Sequence, residues 1–409
     1  MHSFGFPEAA VRERARLGSQ AAFPPPGDYG RTVHGAVATS ADTDVLDRTR
    51  ITPPLFVPER MAKLVELGRE PLHTDVELTT DIGGFRAPLP VYVSAFGSTQ
   101  VTSGDVGLAV ARQAGRLGLP MVIGENIVPM NGGYGRLDPE TESLLLRRIR
   151  AYCEQVPDGV GGVVVQQSTE DADAEVWNTI YSDPAGSALA ASGRLGFELK
   201  LGQGAKPGLG GITMINKDVA ARVNGIYHVA DPSDGAEQSY RFSSPGSFTN
   251  EILHMQVRLM RNNFPRARAW VKLHPGRDVA EASRVAWDAG ADAVTVDGAE
   301  AGSGWAPRVF LDQVGLPLGE CLSRIGQPQG CLLVSSRMWE GARLVKCVAL
   351  GARAVGLGRA ALIAVDENPL DGLERLVECL DLEVRMLISA LGKYEVRSVG
   401  LQDVWLGTG

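Results

Sequence analysis

From residue 90 onward the chain repeats one pattern: a short run of β-branched and apolar residues, then a stretch whose apolar positions recur at helical spacing. The runs are Pro90–Phe96, Met121–Glu125, Val163–Gln167, Phe197–Leu201, Ile226–Ala230, Trp270–His274, Ala293–Asp297, Leu332–Ser336 and Ala354–Leu357. Helices are expected at Val106–Arg116, Ser247–Asn263, Val279–Ala289 and Gly341–Leu350. Several runs are apolar on both faces, as strands buried in a parallel sheet are. Such alternation builds either an open doubly wound sheet or a closed barrel. The unit count favours an α/β fold of the (β/α)8 TIM-barrel type. So do the polar or glycine residues at the strand ends: Ser94, Glu125, Gln167, Gln203, Asp231, His274, Asp297, Ser336 and Gly358. That rim is where barrel enzymes place their chemistry. Nine runs are one more than a barrel needs.

The flanks read differently. Residues 1–85 form an N-terminal extension, 86–365 the barrel and 366–409 a helical tail. Pro7–Leu17 and Pro58–Leu67 suit helices, and Phe23–Gly30 reads as a loop. Asp75–Gly97 reads as a hairpin turning at Gly83-Gly84 and running into the first barrel strand. Asp231–Ser247 is long for a βα loop and suits either a lid or an insertion. Gly372–Tyr394 is strongly helical, for core packing or an oligomer contact, and a homo-oligomer is expected.

Composition excludes several classes. With 40 basic and 48 acidic residues the net charge is −8, which argues against a nucleic-acid footprint. Five cysteines without a CxxC unit argue against a disulfide framework or zinc knuckle. The first residues lack the apolar core of a signal peptide, and no run reaches the roughly 18 apolar residues of a membrane span. A cytoplasmic protein with a small-molecule substrate, and without a membrane or nucleic-acid partner, is expected.

Candidate chemistry clusters at the strand ends. Ser335, Ser336 and Arg337 follow one strand, and Gly358 and Arg359 open the helix after the last. Helix N-termini, close-approach glycines and arginines suit a phosphate, although the glycines could serve tight turns alone. Lys272 lies in the apolar strand AWVKLH. A buried lysine needs an anionic companion, and one aimed inward can stabilise a reduced ring or an enolate; one whose head reaches solvent would be structural. Asp297 and Glu300 stand in VDGAEAGSGWAP, as loop caps or acids, and Gly302 and Gly304 let that loop fold over a flat ligand. ELKLGQGAKPGLGG, Glu198 to Gly211, carries Lys200, Gln203 and Lys206, which suit an anionic substrate such as a dicarboxylate. Arg241 and His274 join them as candidate substrate ligands. No HExxH, Walker A or GxSxG motif stands out, and the six histidines form no metal-ligand pair. Chemistry carried by a cofactor is the simpler expectation, with no metal.

ELKLGQGAKPGLGG, VKL at 271–273, VDGAEAGSGWAP at 296–307 and ALGARAVGLGRAAL at 349–362 together resemble the flavin-binding domain of glutamate synthases and their stand-alone relatives. Asp75 to Ser98 is similar to the entry of FMN-dependent barrels more widely, including 2-hydroxy-acid oxidases and type 2 isopentenyl diphosphate isomerases. The resemblance spans roughly Asp75 to Val365. It implies bound FMN, whose reduced form delivers hydride to 2-iminoglutarate in that family. It implies Lys272 near flavin N1/O2, with Ser94, Ala95 and Gln167 lining the ring. Ser335, Ser336, Arg337, Gly358 and Arg359 would hold the phosphate, with Asp297 and Gly302 in the covering loop. Gln203, Lys206 and Glu125 would face the substrate, and Lys272, Lys206 and Glu125 would carry the chemistry.

The departures shape the expectation. GENIVPMNGG, Gly124 to Gly133, stands where the family has GEGG, so Glu125 alone carries over. Trp305 replaces a small residue, and Ser335-Ser336 replaces a glycine-containing pair. After Leu362 the chain has only Cys379, so no iron–sulfur cluster is expected. A glutaminase domain with a nucleophilic first cysteine ahead of the barrel is not expected, nor is internal ammonia from glutamine. LISALGKYEVRSVG is closer to stand-alone members. The resulting expectation is an FMN-dependent oxidoreductase acting on an amino acid, imino acid or related carboxylate. Alternatives are a non-redox isomerase or lyase on reduced FMN, or a barrel subunit with a partner in an amine-transferring complex. Direct hydroxy-acid oxidation is disfavoured, because VDGAEAG lacks the histidine and arginine that it needs.

Overall fold

Eight strands close into a parallel barrel: β1 (Val91–Val93), β2 (Met121–Ile123), β3 (Val163–Ser168), β4 (Leu195–Lys200), β5 (Arg268–Leu273), β6 (Ala293–Asp297), β7 (Leu332–Ser335) and β8 (Ala354–Leu357). They come from a computed structural model that describes residues 2–3, 5–22, 44–96, 106–124, 144–168, 176–204, 206–207, 211–217, 220–221, 224, 228–231, 235, 237–243, 248–301 and 308–407. The barrel closes through β8 on β1, with Val355 opposite Val91 and Leu357 opposite Val93. The expected helices follow their strands at Val106–Arg116, Asn250–Asn263, Val279–Asp288 and α3 (Gly341–Ala349). Another helix, α4 (Arg359–Glu367), starts directly after β8. The expected Phe23–Gly30 loop lies outside the described residues.

The ninth run is not a barrel strand. His228–Ala230 pairs antiparallel with Gln238–Ser243, which pairs in turn with Gly211–Asn216. These three strands form a separate sheet between β4 and β5. A β-branched run records strand propensity but not which sheet it joins, since side-chain packing decides that. The long Asp231–Ser247 stretch is therefore partly strand rather than loop.

Period-two alternation explains what fills the barrel. Tyr92, Val122, Val164, Trp270, Ala293, Leu333 and Ala354 point inward and pack into one buried layer. The hairpin Thr80–Ile82/Phe85–Ala87 closes the floor beneath it. Its Ile82, Phe85 and Ala87 belong to the same cluster. Burying each large side chain contributes about 1.5–3 kcal/mol relative to exposure. The Trp270 indole donates to the Gly83 carbonyl at 3.0 Å, satisfying its polar edge. Gly83 and Gly84 make that turn with φ of 57° and 92°. A floor sealed in this way leaves the strand C-termini as the open end.

The N-terminal segment packs on the outside of the barrel. Two of its helices matter later: α1 (Glu8–Leu17) and the single turn α2 (Val45–Arg48). The first packs on α4 and on α5 (Gly372–Ala390), the tail helix. Arg12 of α1 reaches Asp366 and Glu367 at 2.8 and 3.0 Å. Among the described residues, no helix is long and apolar enough to cross a membrane.

Candidate active site

The inward positions next above the apolar layer are polar. On β4 they are Glu198 and Lys200, on β5 Lys272, on β6 Thr295 and Asp297, and on β7 Ser335. On β5 to β7 each lies two or four residues beyond an apolar inward residue of its strand. On β4, Glu198 and Lys200 lie two and four beyond Gly196, where a Cβ would come 3.1 Å from Val164 of the inner layer, so alternation sets their direction. Lys272 Nζ lies 3.2 Å from Asp297 Oδ2, and both are buried. The Ser335 hydroxyl donates to the other oxygen of Asp297. Ser94 donates to Ser335 at 3.3 Å. Lys200 stands opposite Lys272 in the β4–β5 ladder, so two lysines share this side of the mouth.

Below them lies a second polar group. Glu198 is 1% exposed; it accepts a hydrogen bond from Gln166 Nε2 and one from the Thr295 hydroxyl at 2.8 Å. Burial raises its carboxyl pKa above the usual carboxylate range, and Lys272 works against that rise. Burial raises the Tyr92 phenol too, with the Glu198 charge adding to it. Neither group figured among the expected site residues. A glutamate alternating with Gly196 and Lys200 in an otherwise apolar strand was the available signal.

The rim residues divide. His274 lies two residues beyond Lys272, and burial lowers its imidazole pKa. A Cβ on Gly202 would come within 2.9 Å of His274 Cβ, so only glycine lets the KLGQ segment pass there. A Cβ on Gly204 would stand 3.2 Å from the Ala301 carbonyl. The two motif segments therefore meet, KLGQG against VDGAEA. Gln203 and Lys206 face each other in a two-residue antiparallel ladder. Gln167 falls on the strand face opposite Val164 and Gln166, so the inward glutamine of β3 is Gln166, not the expected Gln167. Ala95 packs against the inner layer. Arg241 belongs to the separate antiparallel sheet, opposite Thr213 and Val229. Glu125, Gly302, Gly304 and Trp305 lie outside the described residues.

Asp297 and Glu300 play different parts. Asp297 is an inward partner of Lys272, not a loop cap. Glu300 accepts from Leu318 N–H at 3.4 Å and from Arg343 Nη2 at 2.8 Å. Its pKa is pushed up to about 7, by burial first and then by the neighbouring Asp44 carboxylate.

At the ends of β7 and β8 the arginines gather. The Ser336 hydroxyl accepts from Gly298 N–H at 2.8 Å. Arg337 Nη1 lies 3.1 Å from Asp47 of α2, while Arg337 Nε is buried without a hydrogen-bond partner among the described residues. Arg359 donates to the Glu300 carbonyl at 2.6 Å, and its guanidinium lies 4.6 Å over the Phe6 ring. Burial brings its pKa down to about 10, with the Arg337 charge adding to the effect. A Cβ on Gly358 would meet nothing within 4 Å. Two neighbouring cations, an orphaned buried N–H and open space at the N-terminus of α4 are features that an anion would satisfy.

The conserved region of glutamate synthase matches this chain over residues 187–368, from before β4 to past the start of α4. Residues 187–368 are thus the part of this chain that is similar to glutamate synthase. The archaeal-type glutamate synthase (NADPH) of Dehalococcoides mccartyi is 30% identical over 182 residues, which cover 42% of this chain and 36% of that protein. The glutamate synthase large subunit-like protein of Rhizobium meliloti is 31% identical over 180 residues, covering 42% and 40%. The matched part thus spans well under half the length of either relative. Among solved structures, a soluble mutant of the membrane-associated (S)-mandelate dehydrogenase from Pseudomonas putida superposes with a TM-score of 0.58 at 17% identity, covering 98% of this chain and 99% of that one. A mandelate oxidase mutant carrying a monooxide FMN adduct gives 0.53 at 20% identity, covering 89% and 90%. These last two establish the barrel fold. The glutamate synthase region contains Lys200, Lys272, His274, Asp297, Ser335, Arg337 and Arg359 together.

Proposed function

We propose that this chain is an FMN-dependent oxidoreductase of the glutamate synthase type, acting on an amino acid, imino acid or related carboxylate. One observation carries the proposal: the glutamate synthase region supplies β4 to β8, whose ends bring Lys200, Lys272 and His274 to one mouth.

The residues present fit FMN. Arg337 Nε is a buried donor that an acceptor would satisfy, and Gly358 leaves open space where α4 begins with its unpaired N–H groups. Ser94 and Ala95 at the end of β1 would line the ring, with Ser335, Ser336 and the covering-loop residue Gly302 as further candidate contacts, whereas Gln167 faces away from the barrel interior. Bound FMN supplies hydride transfer, which no side chain here can perform.

The protein supplies charge and position. Lys272, held by Asp297, offers positive charge from the barrel wall to an electron-rich ring edge. Asp297 is committed on both oxygens, to Lys272 and to Ser335, so it orients and does not abstract protons. Lys200, with Lys206, Gln203 and Arg241 as further candidates, attracts a substrate carboxylate. Neutral His274 at the rim can accept or return a proton. Glu125 is proposed as a second acid on the family resemblance.

The test is a visible spectrum of the purified protein, with and without added FMN, followed by titration of the reduced protein with 2-oxo acids plus ammonia or amines. A protein that neither retains nor binds FMN ends the proposal. A second reading is a barrel subunit that works with a partner, favoured by the likeness to a protein named as large subunit-like. Turnover that appears only on adding a glutaminase-type or amine-supplying partner would select it.

A further inference from the structure

Two non-glycine residues have positive φ among the described residues, and they are adjacent: Ser336 at 154° and Arg337 at 52°. Side chains disfavour such backbone, which persists only where the surroundings impose it, and often where function needs it. Here it is imposed by the N-terminal segment. Asp44 caps α2 through Leu46 N–H at 3.3 Å and accepts from Gly319 N–H at 3.0 Å. Asp44 and Asp47 then receive Arg343 at 2.8 and 2.9 Å. Arg343 Nε donates to the Ser336 carbonyl at 3.1 Å. The second Asp47 oxygen takes Arg337 Nη1. One helical turn thus grips the strained pair from both sides.

The same segment holds the other arginine. Phe6 lies under the Arg359 guanidinium, 4.6 Å from its carbon, and the Glu300 carbonyl fixes one Nη. Phe6 and Asp47 touch opposite members of the arginine pair, and each leaves part of its guanidinium uncommitted: Nε of Arg337 in particular. Asp47 is itself shared between Arg337 and Arg343, so its charge is already balanced where a phosphate would approach.

We infer that Phe6 and Asp47 are positioning residues for a ligand phosphate, holding Arg359 and Arg337 in the geometry that receives it. Phosphate recognition then depends on the N-terminal segment as well as on the barrel. The inference rests on the flavin reading above, and its test separates the two.

FMN and riboflavin differ by that phosphate alone. Dissociation constants for both are measured on the full chain by flavin fluorescence quenching, for the wild type, Phe6→Leu, Asp47→Ala and Arg337→Ala, with circular dichroism and thermal unfolding as fold controls. Phe6→Leu keeps apolar bulk and removes the ring face. The expected result is that each variant loses about three- to tenfold in FMN affinity while riboflavin affinity stays within twofold of the wild type. Equal losses for both flavins would reduce Phe6 and Asp47 to general scaffolding and overturn the inference. Tighter FMN binding by Asp47→Ala would overturn it too, because Asp47 would then compete with the phosphate. A wild type that prefers FMN, with variants that keep the preference, sinks this inference alone. A wild type that binds neither flavin sinks the flavin reading and this inference with it.

Discussion

Glu300 makes stability depend on pH in an unusual direction. Its carboxyl titrates near 4.5 when unfolded and at about 7 in the fold, because burial and the Asp44 carboxylate oppose its charge more than Arg343 supports it. An acid raised in this way binds more protons folded than unfolded between those values, so unfolding free energy falls as pH rises through that window. The contribution is fully present below about 4.5 and fully lost above about 7. At about 1.4 kcal/mol for each tenfold change in proton affinity, the whole window is worth ~3 kcal/mol, and the part between pH 5.5 and 8 ~2 kcal/mol. Glu300→Gln removes the titration and keeps a hydrogen-bond acceptor for Arg343 and Leu318 N–H. Urea unfolding of wild type and variant at pH 5.5 and 8 isolates the effect, since ordinary carboxylates are already ionised in that range. The variant should be weaker relative to the wild type at pH 5.5 and recover by ~2 kcal/mol at pH 8, with unchanged denaturant slope. Parallel pH curves, or a variant that falls further behind at pH 8, would refute the reasoning.

Three other outcomes are expected. Lys272→Met strands the buried Asp297 charge, so it should cost about 3–5 kcal/mol of stability by urea unfolding and lower turnover of FMN-loaded protein at least about a hundredfold. Gly356→Ala sets a Cβ 2.6 Å from the Tyr92 ring in a filled layer, so the melting temperature should drop by an amount equivalent to about 1–3 kcal/mol. His274 has its imidazole pKa lowered by burial, so the acid limb of kcat/KM should lie below the ordinary imidazole value and vanish in His274→Asn. An acid limb that survives this substitution assigns the proton to another group.

Much of the barrel was legible because its signals are local. Pro58–Leu67 and Val106–Arg116 run over the helices read from apolar spacing, with Gly68 in the left-handed conformation ending the former. The hairpin turned where Gly83-Gly84 allowed it. What escaped was tertiary. Ile226–Ala230 has the composition of a barrel strand, yet His228–Ala230 pairs with Gln238–Ser243, a choice made by non-local partners. Asp44 and Arg343 meet across 299 residues of sequence, and nothing near either one announces the other. Glu198 lies between these cases. Strand parity alone puts it on the same face as Lys200, but only the assembled barrel provides Gln166 and Thr295 to hold it.

The barrel's likeness to mandelate-oxidising enzymes is a likeness of fold alone, so the substrate has to be argued from the site. Hydroxy-acid oxidation requires a base aimed at a substrate carbon after the strand that is β6 here. That place holds Asp297, whose oxygens already serve Lys272 and Ser335. Releasing Asp297 to take a proton would leave Lys272 without its carboxylate and Ser335 without its acceptor inside a buried layer, a double cost that proton transfer does not return. The imidazole that the described residues place at this rim is instead His274, which follows β5 rather than β6.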